Sequence, residues 1–165
     1  MNLKLLSALA ATALLAACAS EDTSGAATGA GAGGLGAGSG GLAGSVRPGS
    51  QEDLVANVGD RVFFALDSSS VGGDQRPVLE RQASWLAQYP QVQVTMEGHA
   101  DERGTREYNL ALGQRRANSA RDILVSQGVS GSRISTVSFG KDRPAALGSN
   151  EEAWAQNRRA VTVVR

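Results

Sequence analysis

The sequence has little of what most reactive sites are built from. Its 165 residues include one cysteine and one histidine, which excludes an internal disulfide, a cysteine-rich zinc site, a CxxC redox pair and any centre assembled from several histidines. GxSxG, HExxH and a Cys-His pair for nucleophilic catalysis are likewise missing. Positive charge is not in excess: Lys plus Arg and Asp plus Glu are both 16, for a formal net charge of zero. That balance leaves nothing for a nucleic-acid arm or a polybasic membrane patch. Aromatic residues are only 4% of the chain, and Trp85 and Trp154 fall on expected helices at packing positions, not on a platform for stacking bases.

What is present is unevenly spread. Met1 to Lys4 is a short basic start, followed by thirteen uncharged residues from Leu5 to Ala17. That run is too short to span a bilayer, which takes about 20 apolar residues. It ends in Leu15-Ala16-Ala17-Cys18, and this segment resembles the lipobox of bacterial lipoproteins. The resemblance implies a signal peptide over residues 1–17, cut before Cys18, and acylation of Cys18 as a lipid anchor. Ala19 and Ser20 stand where retained inner-membrane lipoproteins typically carry aspartate, which implies export to the outer membrane. Ten of the 21 glycines lie between Gly25 and Gly44, in an uncharged Gly/Ala/Ser stretch without periodicity. With the lipidated cysteine, residues 18–45 read as a flexible tether. A GxGxxG within it, Gly31 to Gly36, has no strand before it and no amphipathic helix after it, so it is a coincidence of composition.

Residues 46–165 have the size of one domain with its own core. Arg61 to Leu66 alternates and ends at Asp67, so it reads as a strand. Asp74 is expected to cap a helix that tolerates Pro77 in its first turn, turns Leu79, Leu86 and Ala87 inward and stops at Tyr89-Pro90. Val92, Val94 and Met96 alternate with polar residues and close on Gly98, which makes the first three elements a β-α-β unit. Thr105 is a good N-cap for a helix reaching about Gln127, stopped by Gly128. Ile134 to Phe139, Asn150 to Gln156 and Ala160 to Val164 read as strand, short helix and strand. The alternation favours a sheet with helices packed on one face.

On the long helix, Tyr108, Leu112, Arg116, Ala120 and Ile123 share one face. Arg116 therefore sits in an apolar stripe and needs a carboxylate, because an uncompensated buried charge costs several kcal/mol. Asp101, in the loop before the helix, is the candidate: either the two form a structural ion pair, or they flank one concave spot and grip a group bearing both charges. The only histidine, His99, sits in a tight loop without a second imidazole, and structural hydrogen bonding is its expected role. Arg158 and Arg159 read as a satisfied surface or inter-element cluster, and Tyr108 as core or pocket rim.

Glu97-Gly-His-Ala-Asp-Glu-Arg-Gly-Thr105, continued by Tyr108-Asn-Leu-Ala-Leu-Gly-Gln-Arg-Arg-Ala-Asn118, resembles the peptidoglycan-associated lipoproteins. More broadly it is similar to the peptidoglycan-binding domain shared with the C-terminus of outer-membrane protein A. Val62-Phe63-Phe64 with Asp67, Val137 to Lys141 and Asn157 to Val161 agree as well. The resemblance implies an α+β fold, a β-α-β-α-β-β core with a mixed four-stranded sheet. It also implies non-covalent binding of peptidoglycan through meso-diaminopimelate of the stem peptide, with no cofactor. Asp101 would take the ammonium and Arg116 the carboxylate at the distal centre of that residue. Arg103 would add a contact, Leu112 an apolar wall, and Leu66 with Asp67 the rim; Leu66 stands where the family commonly has an aromatic. The implied setting is the periplasmic side of the outer membrane and the Tol-Pal system of envelope integrity and cell division. The implied partner is a TolB-like β-propeller bound over Gly98 to Asn109. The competing reading is a cell-wall hydrolase or amidase using Asp101, Glu102 or His99 as acid or base.

Overall fold

The structure, a computed structural model, describes residues 46–165; Cys18 and the Gly/Ala/Ser stretch lie outside the described residues. The order of elements is α1 (Gln51–Asn57), β1 (Arg61–Phe63), α2 (Arg76–Gln88), β2 (Val94–His99), α3 (Arg106–Ser126), β3 (Ile134–Gly140), α4 (Glu151–Asn157) and β4 (Arg159–Val164). The four strands form one mixed sheet in the order β1-β4-β2-β3. β4 is antiparallel to both β1 and β2, and β2 is parallel to β3. The fold is α+β, as the sequence implied. Strand β4 lies between β1 and β2, so β1, α2 and β2 are a split β-α-β unit and not one built on neighbouring strands.

Alternation decides which face of the sheet is covered. Val62, Val94, Met96 and Ala160 point to one side and are buried with Leu79, Leu86, Ala117, Ala120 and Leu124 of α2 and α3. Thr162 belongs to the same face, and its hydroxyl is buried because it donates to Gln82 Oε1 at 2.7 Å, while Gln82 Nε2 donates to the Gly59 carbonyl at 2.7 Å. Thr95, Glu97, Val161 and Val163 face the other way and are half-buried. At the far end of the sheet, Arg133 donates to the carbonyls of Leu86, Tyr89 and Val92 at 2.7 to 2.9 Å, pinning the connection from α2 to β2.

Several local expectations are corrected. β1 ends at Phe63: the Ala65 carbonyl is drawn away to Arg116, and Asp67 turns the chain with φ of 54°, a left-handed conformation that aspartate tolerates. The N-cap of α2 is Gln75, without a side-chain cap bond; the Asp74 carboxylate accepts from Gln75 Nε2 instead. Ala87 faces solvent, and Ala83 and Trp85 take the inward positions. Val92 is buried but precedes β2. Helix α1 was not anticipated. Ser50 caps it, and its Asp53 accepts from Trp85 Nε1 at 2.9 Å.

Helix α3 lies against the sheet because two glycines meet. A Cβ at Gly98 would come within 1.8 Å of the Gly113 carbonyl oxygen, and one at Gly113 would lie 2.3 Å from Ser138 Oγ. At Gly98 the atoms met are all backbone of Gly113, so no rotamer change can relieve that clash. We expect Gly98→Ala to destabilise the chain by about 2 to 3 kcal/mol, read as a lower midpoint in urea unfolding. A midpoint within experimental error of the parent would show that the helix can ride outward without cost.

Candidate functional site

Beyond the Gly98–Gly113 contact, β2 ends in a bulge between Gly98 and His99. Such a bulge re-aims the chain, and Asp101 follows it. Thr105 then starts α3, its hydroxyl accepting from the Tyr108 N–H at 3.2 Å. The strand end and helix start, with the turn after β1, enclose a cleft of about 360 Å³. Leu66, Asp67, Asp101, Arg103, Leu112 and Arg116 all line it, as do Ala100, Gly104, Tyr108 and Asn109. The six residues singled out from the sequence are thus neighbours in space, drawn from three separate segments.

Arg116 lies at the buried side of the cleft with 0% exposure. The carboxylate partner expected for it is not there. Its Nε donates to the Ser68 carbonyl at 2.8 Å, Nη1 to His99 at 2.9 Å and Nη2 to Ala65 at 3.2 Å, and the guanidinium carbon is 5.2 Å from the Phe64 ring centroid. Three carbonyl dipoles take the place of one anion. Burial draws the Arg116 pKa down to about 10, opposed by the charge on Asp101, so the side chain is still cationic at neutral pH. A guanidinium has five N–H donors, and two of these remain for something in the cleft.

Asp101 is paired, but with other arginines. Its oxygens accept from the Arg103 backbone N–H at 3.1 Å, Arg103 Nε at 3.2 Å and Arg103 Nη2 at 2.5 Å, and from Arg158 Nη1 at 3.4 Å. Burial pushes the carboxyl upward, but the Arg103 bonds and Arg158 outweigh it, and the group sits below the usual carboxylate range. Arg158 is buried and not at the surface: it also donates to the Phe64 carbonyl at 3.0 Å and to Glu151 at 2.6 Å. A pair of arginines opening a last strand carries no signal that one of them reaches a loop 57 residues away in sequence.

At the mouth, the Tyr108 hydroxyl donates to the Asp67 carboxylate, which raises the phenol pKa and joins the two walls. Tyr108 is therefore rim and not core. Leu66, 60% exposed, stands beside Asp67. Behind the 101–104 loop, Trp154 Nε1 donates to Glu102 at 3.1 Å, and Lys141 Nζ donates to the carbonyls of Glu102 and Gly104 at 3.1 and 2.7 Å. Trp154 thus packs on the 101–104 loop, a role its helical position did not reveal. Among the described residues no three His, Cys, Asp or Glu side chains gather as a metal site would need.

His99 departs from its expected role. Its ring is buried, neither nitrogen makes a hydrogen bond, and it stacks on Phe139 at 5.6 Å between centroids. Burial first, then the positive charges of Arg159 and Arg143, lowers its pKa to about 4, and the nearby backbone of Arg143 offsets only part of this. Glu97 is 3.6 Å away, too long for a hydrogen bond.

Residues 63–158 match the OmpA family. A peptidoglycan-associated lipoprotein of Rhizobium meliloti is 53% identical over 162 residues, which is 95% of this chain and 85% of that one. The protein of that name from Brucella melitensis is 57% identical over 122 residues, 74% of this chain and 73% of the relative. The crystal structure of the peptidoglycan-associated lipoprotein from Burkholderia pseudomallei superposes with a TM-score of 0.64 at 42% identity, covering 68% of this chain and all of that one. The C-terminal domain of Helicobacter pylori MotB, at 23% identity and a TM-score of 0.59 over 64% of this chain and 84% of that one, shares the fold.

The histidine yields a pH prediction. Its pKa in the fold lies below the ordinary value of 6.5, so between those values the unfolded chain binds the extra proton. Stability contributed by neutral His99 is complete above the unfolded pKa and is lost as pH falls through the folded one. Acidifying from pH 7 to pH 4 should cost about 3 kcal/mol from this group, over and above any loss from carboxylates. Paired denaturation curves of the parent and His99→Phe should therefore differ in slope against pH across that window. Identical slopes would mean that the buried ring can take up a proton freely.

Proposed function

The chain belongs to the OmpA family and groups within it with the peptidoglycan-associated lipoproteins, and on that premise we propose that it holds the outer membrane to the cell wall by binding without reaction. The observation that carries the proposal is the convergence, in one cleft, of a cationic Arg116 with two spare N–H donors and the carboxylate of Asp101. A residue whose distal centre bears both a carboxylate and an ammonium fits that pair. meso-Diaminopimelate of the peptidoglycan stem peptide is such a residue. Arg116 takes its carboxylate and Asp101 its ammonium, Leu112 forms the apolar wall, Leu66 and Asp67 form the rim, and Arg103 borders the ammonium position. Catalysis is not favoured by this geometry. The Asp101 carboxyl is held by two arginines below the usual range, which makes it a weak base, and His99, its ring buried on Phe139, is not among the residues that line the cleft.

Membership in the family supports the same proposal for the rest of the chain. Residues 1–17 are a cleaved signal peptide, Cys18 carries the lipid, and residues 18–45 are a tether from the outer membrane to a periplasmic binding domain of residues 46–165. A TolB-like periplasmic β-propeller docks over Gly98 to Asn109 as part of the Tol-Pal system, and because that surface includes Asp101 and Arg103, wall and propeller compete for it.

The ligand is tested by calorimetric titration with diaminopimelate-type and lysine-type stem peptides. Lysine offers the ammonium but no distal carboxylate and leaves Arg116 unpaired, a loss of about 2 to 5 kcal/mol. Arg116→Ala should abolish the preference along with tight binding, but because it also removes the bonds to Ala65, Ser68 and His99, the preference of the parent decides the assignment and thermal melts report the cost of the variant to the fold. Equal affinity of the parent for both peptides would defeat the assignment. The anchor is tested by fractionation: Cys18→Ser should leave the outer-membrane fraction once sacculi are digested, and its persistence there would rule out Cys18 as the link.

A further inference from the structure

Asp101 has no acceptor capacity left. A carboxylate offers about four acceptor positions on its two oxygens. Here Oδ1 takes the backbone N–H and Nε of Arg103, and Oδ2 takes Arg103 Nη2 and Arg158 Nη1. An incoming ammonium cannot be added to this set; a donor has to leave. Arg158 is poorly placed to do so, since it is buried and bonded as well to Phe64 and Glu151. The Arg103 backbone N–H belongs to a loop that Lys141 pins through the carbonyls of Glu102 and Gly104.

The Arg103 guanidinium is different. Its side chain is 34% exposed, and among the described residues it hydrogen-bonds only to Asp101. Its other contact is the face of Trp154, with the guanidinium carbon 3.9 Å from the ring centroid. That attraction does not require Asp101. The ring is itself fixed, on α4 and by its bond to Glu102. A place to stay therefore exists for the guanidinium after it has let go of the carboxylate.

We propose that Arg103 is a gate on Asp101: its guanidinium occupies the position that a ligand's ammonium takes, and it yields that position by retreating onto Trp154. This rests on the ligand reading above and deepens it, because it makes Arg103 a competitor of the ligand instead of a contact. The gate also sharpens selection. A ligand with only a carboxylate reaches Arg116 but cannot dislodge Arg103, so anions without the ammonium gain nothing from Asp101.

The test is titration of the full chain in detergent with a diaminopimelate-containing stem peptide, for the parent, Arg103→Ala and Arg103→Gln. Removing an exposed competitor should tighten binding roughly two- to tenfold. The glutamine variant, which keeps an amide over the ring, should change in the same direction, so that a folding defect peculiar to alanine does not decide the matter. In the parent, the Arg103 Nε–H resonance should move strongly on saturation. Binding by the parent with equal or weaker binding by both variants overturns the gate and leaves the ligand assignment standing, as does an Arg103 resonance that does not move. Absence of binding by parent and variants alike overturns the ligand assignment and the gate with it.

Discussion

The bonds from Arg116 to three main-chain carbonyls are what the cleft depends on. Two of the carbonyls, Ala65 and Ser68, belong to the turn after β1, and the third, His99, to the end of β2. One side chain from α3 thus sets the distance between the segments that carry Asp67 and Asp101. A carboxylate in their place would have neutralised the guanidinium. Carbonyl dipoles satisfy its hydrogen bonds and leave its charge standing, so the same group serves as a strut and, in the proposed function, as a receptor for an anion. Arg133 uses the same chemistry at the opposite end of the sheet, where it only holds a loop.

The strut reaches its carbonyls because α3 is pressed onto β2. Gly98 and Gly113 permit backbone-to-backbone approach, and Arg116 follows Gly113 by just under one turn. A helix held farther out would lift the guanidinium from the end of the strand. Packing and chemistry therefore meet in residues that touch no ligand themselves.

Much of this was legible in the chain, and the rest was hidden for identifiable reasons. The alternation of Val94 and Met96 with polar neighbours, and Thr105 before a long amphipathic run, are local signals and marked β2 and α3 well. The motif from Glu97 to Asn118 brought Asp101, Arg103, Leu112 and Arg116 to attention, the end of the first strand added Leu66 and Asp67, and the fold places the six together. The partners of Arg116 were misjudged because carbonyls of a distant turn leave no trace in composition; a carboxylate is the only counter-group that a sequence displays. The saturation of Asp101 was hidden similarly, since Arg158 comes from the last helix boundary. Helix α1, only seven residues long, is too short to show a period, and its stability comes from Asp53 and Trp85 in three dimensions. The position of β4 between β1 and β2 is a choice of topology that periodicity cannot express.

That position of β4 also orders events in time. Of the two internal strands, β4 follows both of its neighbours in the chain. Until residues 159–164 are available, β1 has no partner and β2 has only β3, and the pairing that joins the first strand to the rest spans about a hundred residues. Arg158, which neutralises Asp101 from within, arrives with the same segment. A nascent chain accordingly cannot close its sheet or finish its cleft early. The native arrangement waits for β4.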